Sequence, residues 1–197
     1  MGNIQKKHKK IKKEKEKEFE NKEPKKIKIV LYGASGVGCN NLAITASGGK
    51  FSDHYKAVIN WSYRILKFEI NNERIEVFLW NGPGQEKFRE LSRLFFNNTD
   101  IVVFVYEIIR KESFNYLDTL IKLVNDSIGN TFKGAIIGNK SDLFQEEQVT
   151  EREAEEYALK NHYKFCLTSA KTNPKGFRDF LEELVKERIE EINGLKK

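Results

Sequence analysis

Residues 33–40 read Gly33-Ala34-Ser35-Gly36-Val37-Gly38-Cys39-Asn40 and follow directly on a short apolar run at 27–32. Glycines at this density allow positive φ and close backbone approach. A strand that feeds such a run into a helix turns several backbone N–H groups toward one point, which suits a phosphate. The working form of this frame, G-x-x-x-x-G-K-[ST], adds a Lys for the outer phosphates and a hydroxyl for Mg²⁺. Here Cys39 and Asn40 occupy those last two places. The frame is kept and the two chemically active side chains are replaced.

The rest of the chain supplies the sheet that such a loop requires. The run at 27–32 is β-branched and ends on Gly33, the pattern of a buried strand, and 40–46 reads as a helix closed by Ser47-Gly48-Gly49. Residues 50–61 have no period and read as a loop. Residues 63–70 and 74–80 alternate around Asn71-Asn72, which predicts a hairpin. Apolar strands are expected at 101–106, 133–137 and 163–167. Helices are expected at 112–128, at 150–161 behind a Thr150/Glu153 capping box, and at 174–192. Alternating strands and helices predict an α/β fold, a mostly parallel six-stranded sheet with one antiparallel edge strand and about five helices. Ligands of such sheets sit beyond the carboxyl ends of the strands, where the loops at 33, 81, 139 and 169 fall.

Charge separates an arm from this domain. Residues 1–26 hold 11 Lys and 5 acidic residues; subtracting them from the chain totals of 35 basic and 29 acidic leaves 24 of each for residues 27–197. The basic excess therefore belongs to a Lys/Glu-rich arm, and no nucleic-acid partner is expected for the globular domain. The start Met1-Gly2-Asn3-Ile4-Gln5 resembles an N-myristoylation signal with Lys6 at the favoured Ser/Thr place, so Gly2 is a lipidation candidate. One acyl chain with a polybasic segment suits an anionic membrane surface; an unmodified solubilising tail is the plainer alternative. Cys39 and Cys166 have neither metal-ligand nor disulfide spacing. No run approaches the ~20 apolar residues of a membrane span and no apolar signal segment opens the chain, so a cytoplasmic location is expected.

Taken together, the glycine loop, Asn81-Gly82-Pro83-Gly84-Gln85-Glu86, Asn139-Lys140-Ser141-Asp142 and Ser169-Ala170-Lys171 resemble, in order and spacing, a Ras-superfamily small GTPase of the P-loop NTPase fold. Trp80 before the second loop, Lys87-Phe88-Arg89 after it and Glu112-Ser113-Phe114 look most like the Rab branch. The resemblance implies that Asp142 reads the N1/N2 edge of guanine, that Asn139 supports its N7/O6 side, that Lys140 lies along the base, and that Ala170 N–H meets the guanine carbonyl beside Ser169 and Lys171. Gly33, Ser35, Gly36, Val37, Gly38, Cys39, Asn40 and Gly84 would then face the phosphates. Gln85 would orient a water, and it is the one catalytic candidate.

Four positions depart from the pattern the resemblance implies: Cys39 for Lys, Asn40 for Ser/Thr, Val58 for the Thr of the first switch loop, and Asn81 for Asp. No metal ligand set is therefore expected, Mg²⁺ binding is doubtful, and GDP or GTP is expected at the micromolar level with negligible turnover. Pro83 fixes its own φ and restrains Gly82, which predicts one dominant conformation for that loop. Tyr63, Trp80 and Phe95 match the aromatic triad Rab proteins show to effectors, and Trp61 lies in the first switch loop; burial of Trp80 and Phe95 in the core is the alternative. Residues 193–197 contain no Cys, so prenylation is not expected. Two functions follow: a Rab-like GTP-binding protein with little hydrolysis, or a nucleotide-independent pseudo-GTPase serving as a scaffold subunit of a larger assembly.

Overall fold

The computed structural model describes residues 23–54, 58–85 and 89–194. Gly2, the Lys/Glu tract up to residue 22 and Glu86, Lys87 and Phe88 lie outside the described residues. Six strands form one sheet: β1 (Lys25–Gly33), β2 (Ser62–Ile70), β3 (Glu73–Asn81), β4 (Ile101–Glu107), β5 (Lys133–Asn139) and β6 (Lys164–Leu167), in the order β2-β3-β1-β4-β5-β6. All neighbouring pairs are parallel except β2 with β3. The helices are α1 (Cys39–Ala46), α2 (Arg89–Ser92), α3 (Lys111–Asn115), α4 (Leu117–Ile128), α5 (Glu151–Lys160) and α6 (Pro174–Gly194), with short 3₁₀ turns at Arg93–Phe95 and Ser141–Glu146.

The predicted sheet is therefore present, with informative differences at its margins. β1 starts at Lys25, inside the predicted arm, because Lys25 and Lys26 continue the ladder opposite Ile75 and Glu76 and the Lys25 ammonium meets Glu73 at 2.5 Å. The helix expected over 112–128 is two segments meeting at Tyr116. There the Tyr116 carbonyl accepts from both Thr119 (3.1 Å) and Leu120 (3.2 Å), a local 3₁₀ tightening. The hairpin turns at Asn71 and Asn72, both in the left-handed region at φ 53° and 59°, which Asn tolerates better than other non-glycine residues. Thr150 caps α5 through its Oγ1, which accepts from Glu153 N at 3.2 Å, but the Glu153 carboxylate turns away to pair with Lys111, so the capping box is half closed.

β4 carries the core, since all seven of its residues are buried. Val103 and Val105 pack with Ile29, Leu31, Val77, Leu79 and the α6 side chains Phe177, Leu181 and Leu184. Val102, Phe104 and Tyr106 pack on the opposite face with Val30, Phe114, Leu117, Leu120 and Val124. Burial of each such side chain contributes roughly 1.5–3 kcal/mol, which makes this doubly covered sheet a rigid platform for the loops at its carboxyl edge.

Candidate functional site

Those loops enclose a cavity of about 800 Å³ lined by residues of the glycine loop, 51–54, Val58, Gly82, Gly84, Glu107, Arg110, Asn139, Lys140, Asp142, Leu143 and 169–171. Of the sequence-predicted residues, Gly33, Ser35, Gly36, Gly38, Cys39, Asn40, Val58, Gly84, Asn139, Lys140, Asp142, Ser169, Ala170 and Lys171 all line it. Val37 and Gln85 do not: the Val37 side chain is buried in the core, and Gln85 lies half-buried beyond the lining.

The glycine loop has the backbone that its sequence predicts. Gly36 and Gly38 adopt φ of 88° and 100°, and Gly38 caps α1 with its carbonyl accepting from Leu42 N at 2.9 Å. A side chain at Gly33 would sit 2.4 Å from the Val105 carbonyl, and one at Gly38 would sit 2.3 Å from the Asn139 amide. No side chain caps α1, and Gly38, Cys39 and Asn40 at its start line the cavity, where an anion would complement the helix dipole.

At one end, four loops are stitched by side chains. The buried Asn139 amide donates to the Val37 carbonyl at 2.8 Å, and its Oδ1 accepts from Ala170 N at 3.1 Å. The Ser169 hydroxyl bonds Asp142 Oδ1 at 2.5 Å and accepts from Lys171 N and Thr172 N at 3.1 and 3.0 Å. Lys140, in the left-handed region at φ 65°, pairs with Glu107. Glu107 is 4% exposed and also meets Arg110 Nε at 2.7 Å, while Arg110 Nη2 donates to the Ser35 carbonyl at 2.9 Å. Lys171 pairs with Asp53 at 3.2 Å. Among the described residues, Arg110, Lys140 and Lys171 of the cavity lining thus each have a carboxylate partner. Sequence reasoning missed Glu107 and Arg110. The available signal was an acid placed at the end of an otherwise apolar strand, a position that burial penalises unless it is paired.

At the other end, the expected metal positions hold amides. Asn81, 1% exposed, donates through Nδ2 to Asn40 Oδ1 at 3.5 Å. Burial pushes the Cys39 thiol up to about 12, its own backbone hydrogen bond opposing this only in part. Any lowering expected from the start of α1 is outweighed, and the sulfur stays a protonated, poor nucleophile. Among the described residues no group of three or more His, Cys, Asp or Glu stands where it could hold a metal ion.

A profile of the Ras family matches residues 28–190. The chain belongs to the Ras family. Within it the chain is Rab-like, in a class of small GTP-binding proteins. It is 32% identical to human Ras-related protein Rab-21 over 83% of this chain and 73% of that protein. It is 33% identical to Ras-related protein Rab-18 of Lymnaea stagnalis, over 86% of this chain and 83% of that protein. Ras-related protein Rab-2B of Dictyostelium discoideum is 31% identical over 86% of the chain and 85% of its own length.

The four predicted aromatic residues of this Ras-family chain form one cluster. Tyr63 packs across the β2/β3 ladder on Trp80 (4.7 Å between centroids), Trp80 lies 6.1 Å from Phe95, and Phe95 stacks on Trp61 at 4.8 Å. Tyr63 is 48% exposed, whereas Trp61, Trp80 and Phe95 are half-buried. Ile65 of β2, Leu91 and Leu94 of the 91–95 segment, and Ile59 just before β2 are exposed large apolar residues. No helix among the described residues is long and apolar enough to cross a membrane.

Proposed function

We propose that this protein is a Rab-like guanine-nucleotide-binding protein that holds its nucleotide without Mg²⁺-dependent turnover and offers the Tyr63/Trp80/Phe95 surface to a protein effector in membrane traffic. The observation that carries the reading is the contrast between Asp142 and Ser169 at one end of the cavity and the Asn40–Asn81 amide pair at the other. Asp142, with Asn139 and Ala170 beside it, supplies the donor and acceptor pattern that pairs with guanine and leaves adenine unmatched. Mg²⁺ takes carboxylate, hydroxyl and phosphate oxygens in octahedral geometry. Two neutral amides bonded to each other do not fit that role, and Val58 brings no oxygen. The family's metal therefore enters no step here.

Cys39 removes the cation of the phosphate loop, and each lost charge-assisted hydrogen bond costs about 1.5–3 kcal/mol, or one to two powers of ten in affinity. Gln85 alone supplies no positive charge for phosphoryl transfer. In this reading the arm, through its lysines and Gly2, is the contact with an anionic, cytoplasmic membrane face.

The second reading, a nucleotide-independent scaffold subunit, is favoured by one observation: Asn139 and Ser169 already find hydrogen-bond partners within the protein. The two readings separate when freshly purified full chain is denatured and the released nucleotide identified, and GDP, GTP and ADP are then titrated with and without Mg²⁺. Micromolar guanine-specific binding indifferent to Mg²⁺ is the expected outcome. No binding at high micromolar concentration would leave the scaffold reading. Restoring Cys39→Lys, Asn40→Ser, Val58→Thr and Asn81→Asp together should raise affinity by about tenfold to a hundredfold and make it depend on Mg²⁺.

A further inference from the structure

With cysteine at position 39, residues 33–40 offer backbone N–H groups and carry no cation of their own. Among the described residues three cations line the cavity, Arg110, Lys140 and Lys171. Two of them are engaged away from the phosphate loop. Lys171 pairs with Asp53 at 3.2 Å and stands over the Phe51 ring, 5.7 Å from its centroid. Lys140 belongs to the base-side loop and reaches Glu107. Arg110 is placed differently. Its Nη2 donates to the Ser35 carbonyl at 2.9 Å, across 75 residues of sequence, and a methyl group built on Gly36 would lie 3.8 Å from Nη1 and 4.0 Å from Nη2. The guanidinium therefore lies beside residues 35 and 36, in the wall of the same cavity.

Its position is fixed while part of its hydrogen-bonding capacity stays unused. Arg110 follows the end of β4, where its N–H donates to the Glu107 carbonyl at 3.2 Å and its own carbonyl accepts from Ser113 N at 3.0 Å and Ser113 Oγ at 2.7 Å. The side chain is held at Nε, 2.7 Å from Glu107 Oε1. Glu107 also pairs with Lys140, so one buried carboxylate answers two cations and leaves one positive charge over at that point. Nη1 makes no hydrogen bond among the described residues, and the side chain remains 39% exposed. A guanidinium is always charged, and its planar fork of donors matches two oxygens of a phosphate.

We propose that Arg110 is the phosphate-binding cation of this site, turning the N–H groups that Glu107 and Ser35 leave open toward the phosphate chain of a guanine nucleotide. This rests on the guanine-nucleotide reading above and adds to it the residue that recognises the phosphates. The charge enters from the end of β4 and not from the start of α1, where Cys39 offers none. Glu107 is then a positioning residue, which holds the guanidinium against the glycine loop.

The test is titration of the full chain with guanosine, GMP, GDP and GTP in EDTA, for the unsubstituted chain, Arg110→Gln and Arg110→Lys. In the unsubstituted chain GDP should bind at least about tenfold tighter than guanosine. Arg110→Gln, in which Glu107 keeps Lys140 as a partner, should lose most of that margin while guanosine affinity stays within about twofold. Arg110→Lys keeps a charge without the fork, and its margin should fall between the two. An unchanged margin in Arg110→Gln would overturn the proposal. So would equal weakening of guanosine and GDP, which marks Arg110 as a tie between loops only. An unsubstituted chain that binds guanosine and GDP equally overturns the proposal and leaves the guanine reading standing, whereas one that binds none of the four sinks both. Should thermal unfolding show that Arg110→Gln does not fold, Arg110→Lys decides, and a margin equal to that of the unsubstituted chain overturns the proposal.

Discussion

The two ends of one cavity solve the same problem, joining loops from separate strands, by different chemistry. At the base end charged and polar side chains do the joining: Asn139 ties the first loop to the last, Ser169 ties the last to Asp142, and Lys140 and Arg110 converge on buried Glu107. At the phosphate end the joining is by close packing and one long amide contact, Gly84 on Ser35 and Asn81 on Asn40. The first arrangement keeps groups that match a ligand. The second puts amides where a carboxylate and a hydroxyl would be needed to hold a metal in the reading proposed above. An ion pair or amide network of the first kind is costly to break, because it strands buried partners; a packing contact of the second kind yields with little penalty.

The same truncation at the two ends makes that difference measurable. Asn139→Ala leaves the Val37 carbonyl and Ala170 N–H without their partners, so a loss of about 2–5 kcal/mol is expected. For a chain of this size that is a fall of about 5–15 °C in Tm by thermal unfolding. Asn81→Ala removes one long hydrogen bond, and the expected loss is about 0.5–1.5 kcal/mol with a correspondingly small shift. Similar costs for the two would break the comparison. The last contrast is the behaviour of the thiol beside them. With the Cys39 pKa raised to about 12 by burial, the folded form holds the proton while the unfolded form loses it near the ordinary thiol value. The contribution is therefore full below that ordinary value and is lost as pH rises toward about 12. Alkylation of Cys39 in the folded chain at pH 8 should be slow, and peptide mapping should show it appear on unfolding; rapid modification would place the thiol in an open phosphate site after all.

Much of this was legible in the residues. Glycine positions 33, 36 and 38, the Asn71-Asn72 turn, the apolar strands and the loops at 139 and 169 are local signals, each dictated by backbone freedom or hydrophobic period. The helix break at Tyr116 and the two extra ladder residues of β1 carry no such signal, because bifurcated hydrogen bonding and pairing with Ile75 and Glu76 depend on what lies alongside. Glu107 left only the mark of an acid ending an apolar strand, and its partners left none, for the same reason. The partners that make a buried acid tolerable come from 33 residues away in the case of Lys140, and Arg110 reaches a carbonyl 75 residues distant.

By itself the sequence determined the architecture and the residue types around the cavity, including Cys39, Asn40 and Val58 in its lining and Asn81 beside it. These follow from periodicity and identity, which need no coordinates. Only the tertiary structure decided what those residues do to one another. The Asn40 and Asn81 amides meet, the half-buried Cys39 thiol is kept protonated, and Gly84 packs against the phosphate loop with Trp61 beside Gly82. Contact, burial and excluded volume are properties of groups brought together across the sheet, and a linear pattern specifies the groups without their separation.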